Sequence, residues 1–493
     1  MKKLMLSALF AGSLVAAVEA APGDAVTQAD LQALIERITK LEAENKAQAK
    51  RIAELEGKAS PAPATKEQGK AAPAVAKEEG TQVSDSGRVY TTEQGYRYYL
   101  ADKFAGIFEP LSDAGLKITP YGWLVAEMDY NTHSTEVDVY TDYVRPKSHR
   151  TYKDHTMTFS MQNSILGLNF ETPEMVDGWK FSGKAEFDLA GDDANDYAFH
   201  WRQLYFEAEH ESGWSFLFGQ TWHLWKMVTP SEIDGAWMEN TGHPYRRSPQ
   251  IRATYKRDLD DDSKIEARVG LVKNGPGMGG DRDGDGNQDN SASEWALVEG
   301  ALLYERNAFW EEGDRRWLVG IAGMYGRDRM HGASAWGEDG MPLAYDASSD
   351  YYDSKMLMLA VQIPFLDKFM LTGQLFGGEN LGGIQAGVGQ RVAFRPDHKR
   401  GTCVRTVGGF VDLAYELNKK WSFAAGYGFD DPNDHDAHYA DGISYNDRAY
   451  VDAFYRVNEN LHFGVEYAYL TTRYHDDGLA DDHRIQFTAF YDF

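Results

Sequence analysis

The chain has 493 residues, a formal net charge of −26 and 13% aromatic residues. The negative charge excludes the basic surface that nucleic-acid-binding proteins need, and the single cysteine, Cys403, excludes an internal disulfide and a CxxC metal site. The chain is rich in aromatic residues although its mean hydropathy is low. This combination is typical of a protein that places an apolar side chain at every second residue of many strands.

The first twenty residues predict an export signal. Lys2 and Lys3 precede a short apolar run, and small residues precede an expected cleavage site after Ala20. A membrane-anchoring helix is the alternative, but the run is too short for it, and no later segment approaches the ~18 apolar residues that a spanning helix needs. We therefore expect residues 1–20 to be removed from an exported protein with no transmembrane helix.

Residues 24–57 predict an α-helical coiled coil. Between residues 31 and 55, apolar side chains recur at alternating spacings of three and four, interrupted only at Asn45 and Gln48. The pattern favours self-association, and a single amphipathic helix that packs on the rest of the chain is the alternative. Residues 58–82 are rich in Ala, Pro, Lys and Glu and predict a linker. Residues 83–114 are aromatic but have no clean period, and their structure is left unassigned.

From residue 115 to residue 493, segments with a period of two residues alternate with polar connections. In residues 179–189, one face is apolar or small from Trp179 to Leu189, and the other carries Lys, Ser, Glu and Asp. This length and alternation are typical of a tilted membrane strand. Sixteen such segments begin near Tyr121, Thr158, Trp179, Phe199, Trp214, Pro249, Ile265, Ala296, Trp317, Asp353, Phe369, Arg405, Trp421, Arg448, Leu461 and Arg484.

The connections alternate between short and long, as they must in a membrane barrel. The long polar connections are 131–156, 190–198, 223–248, 274–294, 327–351, 378–404, 430–446 and 473–483. This order excludes a seventeenth strand at residues 384–394. We predict an all-β transmembrane barrel of about 16 antiparallel strands, closed by pairing of the last strand with the first, and preceded by the coiled coil. A secreted β-sandwich or propeller is the alternative.

Several segments resemble known outer-membrane proteins. NSILGLNF at 163–170, WRQLYFEAE at 201–209 and FLFGQTW at 216–222, behind a coiled coil, resemble the DcaP-like trimeric porin family. GKAEFDLAG also resembles the phosphate-selective porins. The resemblance implies a homotrimer in the bacterial outer membrane with its coiled coil in the periplasm. It also implies that the closing strand, with Phe493 and Tyr491, is the signal that the barrel assembly machinery recognises.

The resemblance further implies that the third long loop folds inward and forms the pore constriction. The candidate constriction residues are Lys226, Arg246 and Arg247 near the loop, and Lys180, Lys184, Glu186, Arg252 and Arg268 on the strands. Basic side chains opposite acids would create a transverse field that favours anions such as carboxylates. The alternative is that these are solvated charges of the barrel wall. A second basic group, Arg391, Arg395, His398, Lys399 and Arg400, would line an entrance or bind lipopolysaccharide phosphates.

One loop motif has the spacing of a calcium site. Asp281, Asp283, Asp285, Asn287 and Asp289 follow the oxygen-ligand spacing of a calcium loop, with a glycine at the sixth position. The twelfth position holds Ala292, where an EF-hand has glutamate. A Ca²⁺ site that rigidifies the loop and a flexible acidic loop both remain open.

A second loop motif groups metal-binding side chains. Asp434, His435, Asp436 and His438 lie within five residues of one another. We interpret them as a solvated loop, with adventitious metal binding as the alternative.

No nucleophile-elbow sequence and no HExxH motif occurs in the chain, so we do not expect an enzyme, and apart from calcium we expect no cofactor. We expect a porin for passive diffusion of small hydrophilic solutes, surrounded by outer-membrane lipid, with peptidoglycan as a candidate partner of the coiled coil. A structural envelope tether with a closed barrel and a phosphate-selective porin are the alternatives.

Overall fold

The computed structural model of the chain describes residues 116–137, 141–172, 177–190, 197–274, 295–307, 315–330, 335–336, 342–343, 350–393 and 401–493. The predicted signal peptide, coiled coil, linker and pre-barrel segment lie outside the described residues, as does the candidate calcium loop at 281–289. The boundaries assigned to those segments therefore remain predictions.

The described residues form one closed antiparallel sheet. It contains seventeen hydrogen-bonded segments, two of which belong to one interrupted strand, so the barrel has sixteen strands. These are β1 (Lys117–Asn131), β2 (Thr156–Ser160 and Ile165–Glu171), β3 (Trp179–Ala190), β4 (Tyr197–His210), β5 (Trp214–Trp222), β6 (Arg247–Asp258), β7 (Ser263–Val272), β8 (Leu297–Asn307), β9 (Arg316–Met330), β10 (Asp350–Phe365), β11 (Phe369–Glu379), β12 (Arg405–Glu416), β13 (Trp421–Pro432), β14 (Ile443–Arg456), β15 (Leu461–Tyr474) and β16 (Gly478–Asp492).

Every predicted strand start lies within one of these strands or one residue before it, which confirms the predicted strand count and order. Residues 384–394, excluded as a barrel strand, follow a 3₁₀ turn that ends at Ile384 (Gly382–Ile384) and contain the two-residue strand Val392–Ala393, which pairs with Thr402–Cys403. A second pair of two-residue strands joins Ala335–Trp336 to Pro342–Leu343.

A short helix, α1 (Asp434–Ala437), lies between β13 and β14. In the part of the chain that the structure describes, no helix is long and apolar enough to cross a membrane.

The barrel has an apolar outside and a polar inside. On β16, Phe487 is 46% exposed, whereas Arg484 on the opposite face of the strand is fully buried. The same alternation places Ile485 and Tyr491 outside, with Gln486 inside. A protein dissolved in water buries its apolar face, so this inverted arrangement is that of strands whose outer face meets lipid.

The barrel closes between β16 and β1. The register runs from Trp123 opposite Asp492 to Asn131 opposite Arg484, which confirms the predicted pairing of the closing strand. Phe493 extends the ladder, because its N–H donates to the Gly122 carbonyl at 3.0 Å and its carbonyl accepts from the Gly122 N–H at 3.1 Å. A Cβ at Gly122 would lie 2.5 Å from the Ile165 carbonyl oxygen, so this close approach of three strands requires glycine.

Strand β2 is interrupted at residues 161–164, which the periodicity does not predict. The Ser164 hydroxyl accepts from the Val125 N–H at 3.0 Å and lies 3.3 Å from the Val125 carbonyl oxygen. A side chain thus replaces ladder hydrogen bonds where the strand is interrupted, and the N–H and carbonyl of Val125 stay hydrogen-bonded.

The eighth connection is much shorter than predicted. Residues 473–483 were expected to form a long loop, but β15 continues to Tyr474 and β16 begins at Gly478, so the connection has only three residues. The polar residues of this segment suggested a loop, but Asp482 belongs to β16 and faces inward. It accepts hydrogen bonds from the Thr132 hydroxyl at 3.0 Å and the His133 N–H at 2.8 Å.

Phe490 faces inward, as its position in the alternation requires. Its ring packs against Phe454 at a centroid distance of 5.5 Å, and Phe454 stacks on His462 at 5.7 Å. This inward aromatic side chain therefore belongs to a small cluster on β14, β15 and β16, near the chain's C-terminus.

Candidate functional site

The connection between β5 and β6, residues 223–246, folds into the barrel and is called loop L3. Its base is closed by a hydrogen bond from the His223 N–H to the Arg246 carbonyl at 3.0 Å. Trp225, Met238 and His243 in this loop are fully buried. Because these side chains pack against inward-facing residues of the wall, loop L3 occupies part of the lumen.

Glu299 on β8 anchors the start of loop L3. One carboxylate oxygen lies 2.5 Å from His223 Nδ1 and accepts from Trp225 Nε1 at 3.1 Å, and the other accepts from the Leu224 N–H at 2.9 Å. All of these groups are buried. A single acid thus satisfies three donors of the loop as it leaves the strand.

Arg448 on β14 anchors the middle of loop L3. Its guanidinium nitrogens lie 2.6 Å from a carboxylate oxygen of Glu232 and 2.9 Å from one of Asp234, both in the loop, and 2.7 Å from one of Glu466 on β15. Glu466 also accepts from the Ile233 N–H at 2.8 Å. Loop and wall therefore share one fully buried ionic network.

Arg484 on β16 extends this network to the first strand. It lies 3.3 Å from Asp234 and 3.0 Å from Asp129 on β1. Burial by itself would raise the pKa of Asp234, but the two arginines outweigh it and hold this pKa below its usual value. The loop carboxylate stays ionised, and its charge is confined to the anchored side of the lumen.

The end of loop L3 is fastened to β11 and β13. The Gly242 N–H donates to Asp430 on β13 at 3.0 Å, and Gln374 on β11 donates to the Gly242 carbonyl at 3.0 Å. Gly242 has φ +109°, and a Cβ there would lie 2.1 Å from the Gly409 carbonyl oxygen on β12. Only glycine allows the loop backbone to lie this close to the wall.

The opposite side of the barrel carries basic side chains. We call Lys184 on β3, Arg202 on β4, Arg252 on β6 and Arg268 on β7 the cationic wall. Arg252 is in register with Gly270, two residues from Arg268, so the two guanidinium groups lie on adjacent strands close to each other. The middle and end of loop L3 are anchored to strands between β11 and β16, and in a ring of sixteen strands these lie across the lumen from the cationic wall on β3 to β7. The Glu299 anchor on β8 instead borders the cationic wall, because β8 pairs with β7.

Acids accompany each cation of the cationic wall, and Arg202 also pairs with Asp188 at 2.8 Å. Glu186, a predicted site residue, is buried and accepts from Arg202 at 2.9 Å and from the Tyr121 hydroxyl at 2.6 Å. Lys184 lies 3.8 Å from Glu186, and Arg268 lies 2.5 Å from Glu266. The structure thus places the predicted residues Lys184, Glu186, Arg252 and Arg268 on one inner surface.

Arg202 is a site residue that the sequence pattern missed. Strict alternation from Glu207 and Glu209 would point Arg202 outward. The pairing of β3 with β4 shifts register between Glu186 and Phe187, and this bulge lets both Arg202 and Gln203 face inward, where they are buried. No residue type in WRQLYF signals the bulge.

Trp222, at the end of β5, brings together two predicted cations. Lys226 Nζ lies 4.2 Å above its ring and 5.2 Å from the ring of Trp237, and the Arg247 guanidinium lies 4.6 Å from Trp222. These contacts hold Lys226 and Arg247 at the base of loop L3. The aromatic partners were not predicted.

Other predicted residues lie elsewhere. Arg246 donates from Nη1 to the carbonyl of Gly383, which joins loop L3 to the β11–β12 connection. Lys180 lies at the other end of the barrel, where it pairs with Glu171 at 3.4 Å and its side chain is 43% exposed. Arg391 is buried, and its Nε donates a hydrogen bond to Asn380 Oδ1 at 3.3 Å. The remaining members of its basic group, at 395–400, lie outside the described residues.

The acidic groups of the β13–β14 connection are separated by the fold. Asp436 is buried and accepts from Arg405 at 2.9 Å, whereas Asp434 and His435 are exposed. The four residues therefore do not form one cluster, and only His438 faces a neighbouring connection.

Comparison with known proteins supports the fold. No protein-family model matches the chain, and no curated protein is significantly similar to it. Among solved structures it is similar to the outer membrane channel DcaP of Acinetobacter baumannii, with a TM-score of 0.60 and 18% identity over 77% of this chain and 98% of that chain. It is also similar to OprB of Pseudomonas putida, with a TM-score of 0.50 and 11% identity over 79% and 97%. These similarities confirm the predicted resemblance to outer-membrane channels at the level of the fold.

Proposed function

We propose that the chain is a diffusion channel of a bacterial outer membrane that passes small hydrophilic solutes and favours anions such as carboxylates. The observation that carries this proposal is the placement of the cationic wall across the lumen from β14, where Arg448 holds the acids Glu232 and Asp234 of the middle of loop L3. Sixteen strands enclose a lumen too wide for side chains alone to fill. A loop folded inward narrows this lumen.

Charge separation supplies the selectivity. Five buried carboxylates, Glu127, Asp129, Glu232, Asp234 and Glu466, surround Arg448 and Arg484 on the anchored side. The opposite side presents the guanidinium groups of Arg252 and Arg268. The resulting field across the lumen leads a carboxylate along the arginines, whose planar donors form bidentate hydrogen bonds with it.

The predicted segments outside the described residues complete the proposal. The coiled coil at 24–57 would join three copies in the periplasm and approach peptidoglycan, and outer-membrane lipid would surround the barrels. The motif at 281–289 would bind Ca²⁺ in a loop on the side of the long connections. Deletion of residues 21–57 tests the first point, since a barrel that stays equally trimeric without them would show that the helix is not the oligomerisation device.

Conductance in planar bilayers separates the channel from the structural tether. The channel predicts stepwise, steady open currents from the full-length protein, and a closed barrel predicts none. Competition between anions for the pore then distinguishes a carboxylate-favouring channel from a phosphate-selective one. A carboxylate channel shows chloride current reduced by millimolar succinate and by phosphate to a similar degree, whereas a phosphate-selective channel is blocked by phosphate alone.

A further inference from the structure

Two connections at the loop end of the barrel bring a pair of histidines into contact. His438 follows α1 in the β13–β14 connection, and His475 lies in the three-residue connection between β15 and β16. Their ring centroids are 3.7 Å apart with an interplanar angle of 33°. A ring nitrogen of each histidine and a carboxylate oxygen of Asp476 lie within 4.8 Å of one another.

Hydrogen bonds of the backbone hold both connections in place. The His438 N–H donates to the Asp434 carbonyl at 3.1 Å as the last bond of α1, and the Asn433 side chain caps that helix. The His475 N–H donates to the Gly442 carbonyl at 2.8 Å, which ties the β15–β16 connection to the one that contains His438. The two histidines are therefore brought together by the fold, and not by a chance meeting of flexible side chains.

The polar atoms of this pair are set up for a cation. His438 Nδ1 is sealed from solvent and has no hydrogen-bond partner among the described residues, although buried polar atoms are normally paired. His475 Nδ1 lies 2.7 Å from Asp476 Oδ1, so an imidazole and a carboxylate donor already lie side by side. A metal ion coordinated by His438 Nδ1 would satisfy this nitrogen.

We propose that His438, His475 and Asp476 bind a divalent transition-metal ion of the Zn²⁺ class. Imidazole with one carboxylate is a donor set that suits Zn²⁺, and water completes the coordination shell. Donor atoms of a tetrahedral zinc site lie about 3–4 Å apart, so the exposed side chains of His475 and Asp476 rotate to close on the ion. The ion joins two neighbouring connections at the rim of the barrel and stiffens that rim.

Calorimetric titration of the full-length protein in detergent with ZnCl₂ tests the site, with excess Ca²⁺ and Mg²⁺ present to occupy oxygen-only sites. One Zn²⁺ per chain is expected. His438→Ala and His475→Ala each weaken binding by on the order of tenfold or more. His435→Ala, an exposed histidine of the same connection, is the matched control and leaves the affinity within about twofold of the wild type.

Hydrogen exchange of the unaltered protein gives a second readout that needs no variant. Added Zn²⁺ slows exchange in the peptides that cover residues 434–442 and 475–477, and leaves the β4–β5 turn unchanged. The proposal is overturned if the double variant His438→Ala/His475→Ala binds Zn²⁺ as tightly as the wild type. Equal loss on His435→Ala, or Zn²⁺ binding without slowed exchange at these residues, would identify a nonspecific surface effect and overturn it as well.

Discussion

Arg448 on β14 and Asp234 in loop L3 form an ion pair of 2.9 Å in which both side chains are fully buried. Glu232 and Glu466 complete the shell of this arginine at 2.6 and 2.7 Å. The position of the loop in the lumen depends on this pair, because it links the middle of the loop to the wall farthest from the cationic wall.

Arg448→Ala should release loop L3 from the wall. Removing one partner of a buried ionic network costs roughly 3–5 kcal/mol, since the remaining carboxylates are left buried without their cation. We expect a lower unfolding temperature in heat-modifiability gels, and single-channel currents that fluctuate between levels above the wild-type level. Arg456→Ala at the other end of β14 is the control and should match the wild type. Steady wild-type currents from Arg448→Ala would show that the other anchors suffice.

Glu299→Ala should loosen the start of the loop. The substitution leaves the buried donors of His223, Leu224 and Trp225 without their acceptor, at about 1–3 kcal/mol for each unsatisfied group. The urea concentration at which the barrel unfolds should fall clearly. The control is Glu305→Ala on the same strand, which pairs with Lys264 at 3.1 Å and Arg316 at 3.5 Å at the barrel's end. Equal loss in both variants would argue against a special role of Glu299.

Glu239 in loop L3 predicts a pH dependence of stability. Burial, reinforced by the nearby Asp142, raises its pKa to about 8, compared with about 4.3 in an unfolded chain. Between these values the folded state holds a proton that the unfolded state releases, so this group's contribution makes stability fall as pH rises through that window. Glu239→Gln should flatten the urea midpoint against pH, whereas Glu211→Gln in the exposed β4–β5 turn should not. A wild-type slope in Glu239→Gln contradicts this assignment.

The C-terminal residue should matter for assembly more than its neighbour. Phe493 makes two ladder hydrogen bonds with Gly122, and its ring lies at the closing seam. Deletion of Phe493 should strongly reduce the amount of folded barrel in the membrane fraction, and Asp492→Ala should reduce it much less. Normal membrane levels of the truncated protein would count against this prediction.

Strand positions and strand order could be predicted because alternation reports directly which side of the barrel wall a residue faces. Departures from alternation were missed for physical reasons. A bulge turns Arg202 inward, and the Ser164 hydroxyl replaces a backbone partner where β2 is interrupted. Both features depend on how neighbouring strands pair, and the periodicity of a single strand gives no information about this pairing. The β15–β16 connection was predicted too long because Asp482 is a polar residue of the lumen, and polarity alone does not distinguish lumen from loop.

Most residues of the candidate site could be predicted from the sequence, but their contacts with one another could not. The positions of Lys184, Arg252 and Arg268 on inward faces follow from alternation. The anchoring of loop L3 by Glu299 and Arg448 joins residues that are 74 or more positions apart in the chain, and no local sequence pattern indicates such pairs. The same holds for His438 and His475, which belong to different connections.

The reversal potential in a salt gradient tests the central claim most directly. With the full-length protein in a planar bilayer and a tenfold KCl gradient, an anion-favouring lumen predicts a reversal potential of the sign set by chloride. Arg252→Gln combined with Arg268→Gln should move it toward zero or beyond, while Lys256→Gln at the exposed end of β6 should leave it unchanged. A wild-type potential of the sign set by potassium would contradict the proposal that the cationic wall controls passage.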